Sequence, residues 1–227
     1  MKLKSIIKEI GKSENIVCVM DFDHTITTFN SSTSIGVYSQ YLGKEYKNKK
    51  DIIDKIVNKY NGKLITKYLW IRKIKLLKKY YNKELLEEIS KNFKIRKEFK
   101  ELFEYLNKNN KEFIICSSGH KELIELILKN NAIFNYKLLA NRINTPIYDI
   151  ITPYNKHKFL RKYTNNKKAI IIGDHIGDSL MVEKNKVSIG VANEENREEL
   201  GNYFDYVFIG DENYERKYKN ENWRTKL

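Results

Sequence analysis

Apolar positions along the chain follow two rhythms. Five short runs hold few polar residues: "IVCVM" at Ile16–Met20, "FIICS" at Phe113–Ser117, "AIIIGD" at Ala169–Asp174, "VSIGVA" at Val187–Ala192 and "YVFIG" at Tyr206–Gly210. Runs of this length without alternation predict strands buried on both faces, as in parallel sheets covered by helices. Between the later runs the apolar spacing changes to three and four residues, in "KELIELILKN", "KHKFLRKY", "DSLMVEKN" and "EENREEL", which predicts helices. Strand and helix therefore alternate, and the predicted fold is α/β, a doubly wound, mainly parallel sheet. "KLKSIIKEIG" near the N-terminus predicts a short amphipathic helix stopped by Gly11. "NRINTPIYDIITPYN", which holds both prolines, predicts a turn-rich hairpin before a helix that begins near Asn155.

One interval breaks the rhythm. From about Asn30 to Asn110 no convincing strand occurs, only helical stretches such as "SIGVYSQYLG", "KDIIDKIVNKYNG", "KLITKYLWIRKIKLLKKYY" and "KELLEEISKNF". An insert of that length between the first and second core strands predicts a helical cap subdomain at 30–110, with the core formed by 1–29 and 111–227. The helix "RKEFKELFEYLNKNN" leads back into that core.

Charge is uneven along the chain. Lys and Arg number 43 against 29 Asp and Glu, a net +14, and residues 31–110 alone hold 20 basic and 9 acidic side chains. Such an excess raises the question of a polyanionic partner, but none of the motifs that nucleic-acid readers carry accompanies it. The basic stretch around Trp70 has apolar residues on two stripes, Leu64, Tyr68 and Ile71 on one and Trp70, Ile74 and Leu77 on the other. That coverage fits a buried cap helix better than one lying on a membrane, and its lysines would steer anionic esters toward the cleft. The partner expected is a small phosphorylated substrate rather than nucleic acid, and nothing in the sequence specifies an oligomeric state.

Cys18 and Cys116 fall inside predicted strands and read as free, inert thiols. No secretory apolar stretch opens the chain and no apolar run approaches about 18 residues, so neither export nor a membrane span is expected. A reducing cytoplasm is the expected location.

Chemistry gathers where the strands end. In open α/β sheets the ligand crevice lies outside the carboxyl ends of the strands. Asp21, Asp23 and Thr25 follow the first run, Ser117, Ser118 and Gly119 end the second, Lys156 and Lys158 precede the third, and Asp174 and Asp178 follow it in "GDHIGD". Carboxylates alternating in this way repel unless a cation sits between them, and hard oxygen ligands with a phosphate oxygen suit octahedral Mg²⁺. The metal set expected is Asp21, Asp23, Asp174 and Asp178. Asp21 would attack phosphorus to form an aspartyl phosphate. Asp23 would protonate the leaving alcohol and later activate water. Ser117, Ser118 and Gly119, at the opening of a helix, would hold phosphate oxygens, and Lys156 would stabilise the transferring group.

The four clusters resemble the haloacid dehalogenase superfamily: "DFDHT" its Asp-x-Asp-x-Thr motif, "CSSG" its second, Lys156 its third and "GDHIGD" its fourth, over Ile16 to about Ala192. The resemblance implies a phosphotransferase, since an Asp at the place of Asp23 marks the phosphatases and phosphomutases of that family. It also implies that the insert after the first motif is a cap. "SSGHKELIEL", "LLANRI", "PYNKHKFL" and "GDHIGDSLMVE" are similar to cytosolic pyrimidine 5′-nucleotidases and, more distantly, to phosphoserine phosphatases, although Ser118 stands where the former have Ala.

Other readings of these residues are weaker. A calcium loop starting at Asp21 would need Gly at Ile26 and Glu at Ser32, and neither a dinucleotide fingerprint nor a nucleoside-triphosphate loop occurs. Ser117 or Ser118 can cap the following helix, a role compatible with phosphate binding. Lys158 is the rival of Lys156. His24, His157 and His175 read as surface or supporting groups without zinc spacing, and Asp178 either ligates the metal or orients its surroundings. The sequence thus predicts a Mg²⁺-dependent phosphomonoesterase, with a nucleoside 5′-monophosphate as first candidate substrate and phosphoserine or another small ester as second. A phosphomutase and a basic nucleic-acid-binding protein on an inactive core are the alternatives.

Overall fold

In the computed structural model, side chains along β1 (Ile16–Met20) alternate between two apolar layers, because successive strand residues point to opposite faces. Ile16, Cys18 and Met20 join one buried cluster, Val17 and Val19 another. The structure describes residues 15–28, 42–59, 82–209 and 218–219, with positions 68, 71, 72, 75, 76, 78 and 79. The expected N-terminal helix, the stretch "SIGVYSQYLG" up to Tyr41, Trp70 and the remaining positions of its helix lie outside them, while the described positions from 68 to 79 are helical.

The other strands are β2 (Glu112–His120), β3 (Lys137–Asn141), β4 (Lys168–Gly173), β5 (Lys186–Ala192), β6 (Tyr206–Ile209) and β7 (Tyr218–Lys219). They form one sheet in the order β3-β2-β1-β4-β5-β6-β7. β1 to β6 pair in parallel and β7 joins the edge antiparallel. Met20 is in register with Ile115 on one side and Ile172 on the other, so the ends of β1, β2 and β4 stand side by side. β1 is where the strand order reverses, the place where such sheets open a crevice.

Helices cover both faces. On the first pack α2 (Lys83–Ser90), α3 (Lys97–Lys108) and α4 (Lys121–Asn130), through Leu86, Ile89, Phe99, Leu102, Leu123 and Ile127. On the second lies α5 (Lys156–Thr164), through Leu160. Each helix places its apolar residues three and four apart and so buries one stripe. α1 (Gly43–Lys59) precedes α2, and α6 (Arg197–Gly201) sits beside β6. The doubly wound α/β fold expected from the sequence is therefore present. α2 and α3, which fall within residues 30–110, contribute buried side chains to the sheet's own core, and Leu42, Ile71 and Leu76 pack against the same cluster.

Three expectations are corrected. β3 is absent from the predicted strands, since "KLLAN" is short and its first residue, Lys137, is exposed. The prolines form no hairpin: Ile147–Asp149 is a single 3-10 turn, and the backbone of Ile151 is paired with the side chain of Asn141 instead of a strand (Ile151 N–H to Oδ1 and Asn141 Nδ2 to Ile151 O, both 2.8 Å). "DSLMVEKN" continues no α-helix. A 3-10 turn at Ile176–Leu180 is followed by an irregular segment, and the Ser179 carbonyl is capped by the Lys186 ammonium.

Candidate active site

The loop after β1 carries the first carboxylates. The Asp21 N–H donates to Ile172 O (2.9 Å), extending the ladder between β1 and β4 by one residue and fixing Asp21 at the strand end. The chain then turns back, with Ile26 and Thr27 N–H both donating to Phe22 O (3.0 and 3.1 Å). His24 takes a φ of 60°, the left-handed region that non-glycine residues seldom adopt. The turn leaves Asp23 half-buried at the rim and drives Thr25 inward, where its hydroxyl donates to Asp174 Oδ1 (2.7 Å).

Asp174 follows β4 and Asp178 sits in the next turn. Asp178 is buried, with Oδ2 accepting from the His175 N–H (3.0 Å), while His175 Nδ1 accepts from Gly177 N–H (3.0 Å). A side chain at Gly173 is impossible here, since a Cβ would lie 2.2 Å from Asp178 Cβ. The glycine of "GDHIGD" thus admits its second aspartate.

Lys156 enters from the start of α5, almost wholly buried, with Nζ 2.6 Å from Asp21 Oδ1 and 2.7 Å from Asp178 Oδ1. Lys158 makes neither contact and lines a separate cleft, so Lys156 is the lysine at the acids. That cleft, about 760 Å³, is bordered by α5 and residues 181–185 and contains none of the aspartates.

Asp21, Asp174 and Asp178 each bring an oxygen within 4.8 Å of the others, a grouping that does not include Asp23. Burial pushes the Asp21 carboxyl up to about 6, Asp174 adding to the rise and Lys156 opposing it. Burial and the charge of Asp178 push Asp174 up to about 7, against the Thr25 hydroxyl and Lys156. Asp178 is raised as well, by burial and then by Asp21, with Lys156 opposing. Burial disfavours the Lys156 ammonium, but Asp178 and Asp21 outweigh it and hold the ammonium above its ordinary value. Three crowded oxygen donors that resist ionising together are the donor set a hard divalent cation relieves.

The second cluster lies at the irregular end of β2. Ser117 is buried and its Oγ accepts from the Gly119 N–H (2.9 Å), so that amide is engaged and the hydroxyl proton is left to donate elsewhere. α4 begins at Lys121 with no side-chain cap, so neither serine caps it. Ser118 is half-buried and its carbonyl accepts from Asn141 Nδ2 (2.8 Å). Asn141 thereby ties the second loop to the segment leading to Lys156. Cys18 and Cys116 are free and buried, and burial pushes both thiols up, Cys116 to about 12. His175 is exposed and His157 half-buried.

Sequence reasoning missed Arg96 and Asn141. Arg96 precedes α3, is buried, and donates to the carbonyls of His24, Thr25 and Thr27 (2.8, 3.1 and 3.0 Å). In sequence it is one cation among several in "KIRKEFK", and its partners are backbone oxygens, which leave no motif.

Among the described residues no helix is long and apolar enough to cross a membrane. The family model of the haloacid dehalogenase-like hydrolases matches residues 18–183. Among curated proteins, no sequence relative matches. The fold is similar to that of cytosolic 5′-nucleotidase IIIB bound to cytidine (TM-score 0.70, 21% identity, 92% of this chain and 86% of that one). It is also similar to a haloacid dehalogenase family hydrolase of Salmonella enterica serovar Typhi (0.63, 15%, 86% and 73%). A substrate-bound phosphoserine phosphatase is a further likeness (0.55, 17%, 82% and 90%).

Proposed function

The chain belongs to the haloacid dehalogenase-like hydrolases, and on that premise we propose that it is a Mg²⁺-dependent phosphomonoesterase working through an aspartyl phosphate on Asp21. The observation that carries this reading is the placement of Asp21. It stands at a strand end, against the Lys156 ammonium at 2.6 Å, in one cluster with Asp174 and Asp178. Lys156 offsets one of three carboxylates, and a divalent ion offsets the other two. Asp21 and Asp174, with Asp178 beside them, would hold Mg²⁺, which when bound neutralises a substrate phosphate oxygen.

The chain's residues then divide the work. A carboxylate oxygen of Asp21 forms the bond to phosphorus as the ester P–O bond breaks, and the departing oxygen takes a proton from Asp23. Asp23, now ionised, removes a proton from water. That water attacks the phosphorus and returns Asp21 as a free carboxylate with inorganic phosphate. Ser117 donates its hydroxyl proton to a phosphate oxygen, beside the amides that open α4. Lys156 supplies positive charge as negative charge spreads over the transferring group. Asp178, with one oxygen on Lys156 and one on the His175 amide, aims the lysine.

The substrate proposed is a nucleoside 5′-monophosphate, a reading supported by the cytidine-bound structure whose fold this chain shares over 92% of its length. Residues 30–110 are the proposed cap insert that selects it, and the expected location is the cytoplasm. The phosphoserine phosphatase likeness supports phosphoserine as the second substrate to try. Phosphate release is to be measured over a panel of nucleotides and phosphorylated metabolites, with Mg²⁺ and with chelator. Release that requires Mg²⁺ and disappears in Asp21→Asn is expected. Release unaffected by both would overturn the proposal.

A further inference from the structure

Four consecutive carbonyls of the loop after β1 accept hydrogen bonds from one residue. Arg96 Nη2 donates to His24 O (2.8 Å), Nε to Thr25 O (3.1 Å) and Thr27 O (3.0 Å), and the Arg96 backbone N–H to Ile26 O (3.0 Å). Arg96 is only 3% exposed and lies 69 to 72 positions from the residues its side chain grips. We infer that Arg96 is a positioning residue: its guanidinium holds the loop of Asp23 and Thr25 in working shape and ties it to the segment between α2 and α3.

The loop needs such a hold. His24 is in the left-handed region, a conformation that costs a non-glycine residue free energy and persists only when its surroundings fix it. The peptide oxygen leaving that strained residue is the one Nη2 grips. Thr25, whose carbonyl takes the next bond, reaches Asp174 with its hydroxyl (2.7 Å), and Asp23 lies between Phe22 and the strained His24. A loop moved here carries the proposed acid away from the leaving oxygen and loosens Asp174 together with it.

The same residues join this loop to the segment between α2 and α3. Thr27 and Ile95 form an antiparallel bridge, and Thr28 N–H donates to Lys94 O (3.3 Å). Phe93 and Ile95 are buried in the main core. The segment between α2 and α3 therefore lies against the turn that follows β1, and Arg96 links that junction to the acids. A planar fork of donors with weak hydration suits a buried site lined by carbonyls, whereas a lysine presents a single strongly hydrated ammonium. Lys at 96 would keep the charge and lose the spread of bonds.

The catalytic part of this inference rests on the roles proposed for Asp23 and Thr25, so its test has two arms. Arg96→Ala and Arg96→Lys are compared with wild type by amide hydrogen exchange and by Mg²⁺-dependent hydrolysis of p-nitrophenyl phosphate. Exchange in peptides covering 22–28 is expected to rise about tenfold or more as bonds from a charged donor are lost, with 168–173 unchanged. kcat is expected to fall about 100-fold with KM little altered, the scale of a misplacement of about 1 Å at a reacting group. Added guanidinium ion should restore both in Arg96→Ala. Should that variant prove globally unfolded, Arg96→Lys with its larger side chain is the readout. Unchanged exchange at 22–28 in the folded variants overturns the inference, as does exchange raised equally at 168–173, or an unchanged kcat. A wild type that releases no phosphate would defeat the enzymatic reading alone, because the exchange arm still decides whether Arg96 holds the loop.

Discussion

The Thr25 hydroxyl donates to Asp174 Oδ1 over 2.7 Å, joining the loop after β1 to the end of β4 across 149 positions of sequence. It occupies one lone pair of Asp174 and holds the carboxylate toward Asp21 and Asp178. Partners of this kind set both the orientation and the basicity of a metal-binding carboxylate. Thr25→Val keeps the shape and removes the donor. Mg²⁺ affinity, read by calorimetric or activity titration, is expected to weaken about 10- to 100-fold, with the fold intact by circular dichroism. Unchanged affinity would remove Thr25 from the site.

Lys156 is the countercharge for two buried acids. Removing one partner of a buried pair leaves an uncompensated charge, at a cost of about 3–5 kcal/mol. Lys156→Met is therefore expected to lower stability by that amount at pH 8, and by less near pH 5, where the raised acids take up protons. Lys156→Met with Asp178→Asn should recover much of the stability and none of the phosphate release. Denaturant unfolding of the single and double variants decides. Equal stability of Lys156→Met and wild type would contradict the pairing.

The metal-free site should be strained at high pH. Asp21 and Asp174 have folded-state values of about 6 and about 7, above the roughly 3.9 of an unfolded aspartate. Between these limits the folded chain binds more protons, so these groups contribute stability that is complete below about pH 4 and is lost as pH rises through their folded values. In chelator, Asp174→Asn should raise Tm at pH 8 by at least about 2–4 °C, the shift that 1 kcal/mol produces at this chain length. The advantage should vanish near pH 4. With Mg²⁺ present the order should reverse at pH 8, since the wild type gains more from the ion. A variant equal to wild type in chelator at pH 8 would show that Asp174 is not crowded.

What the sequence made legible was whatever has a pattern along the chain. The strands buried on both faces, the helix "KELIELILKN" and the order of the four polar clusters depend on spacing, and the structure brings Asp21, Asp174 and Asp178, which follow strands, together with Lys156 at the start of α5. Groups that bond to backbone were not legible. Arg96 reads as one more cation in "KIRKEFK", and Asn141 as the first residue of a turn-rich stretch, yet each holds a loop of the site. The partner of an amphipathic face was not legible either. The periodicity of "KELLEEIS" shows that it buries a face, and only the tertiary contact shows that the face meets the sheet's core.

The central claim is that Asp21 itself carries the phosphoryl group. Turnover of a ³²P-labelled substrate with Mg²⁺, stopped in acid and followed by peptide mass spectrometry, tests it directly. The account predicts one phosphoryl group on the peptide Met20–Thr27, located at Asp21, chased off by unlabelled substrate and missing in Asp21→Asn. Steady Mg²⁺-dependent phosphate release with the label on another side chain, or with the Asp21→Asn variant as active as wild type, would contradict it.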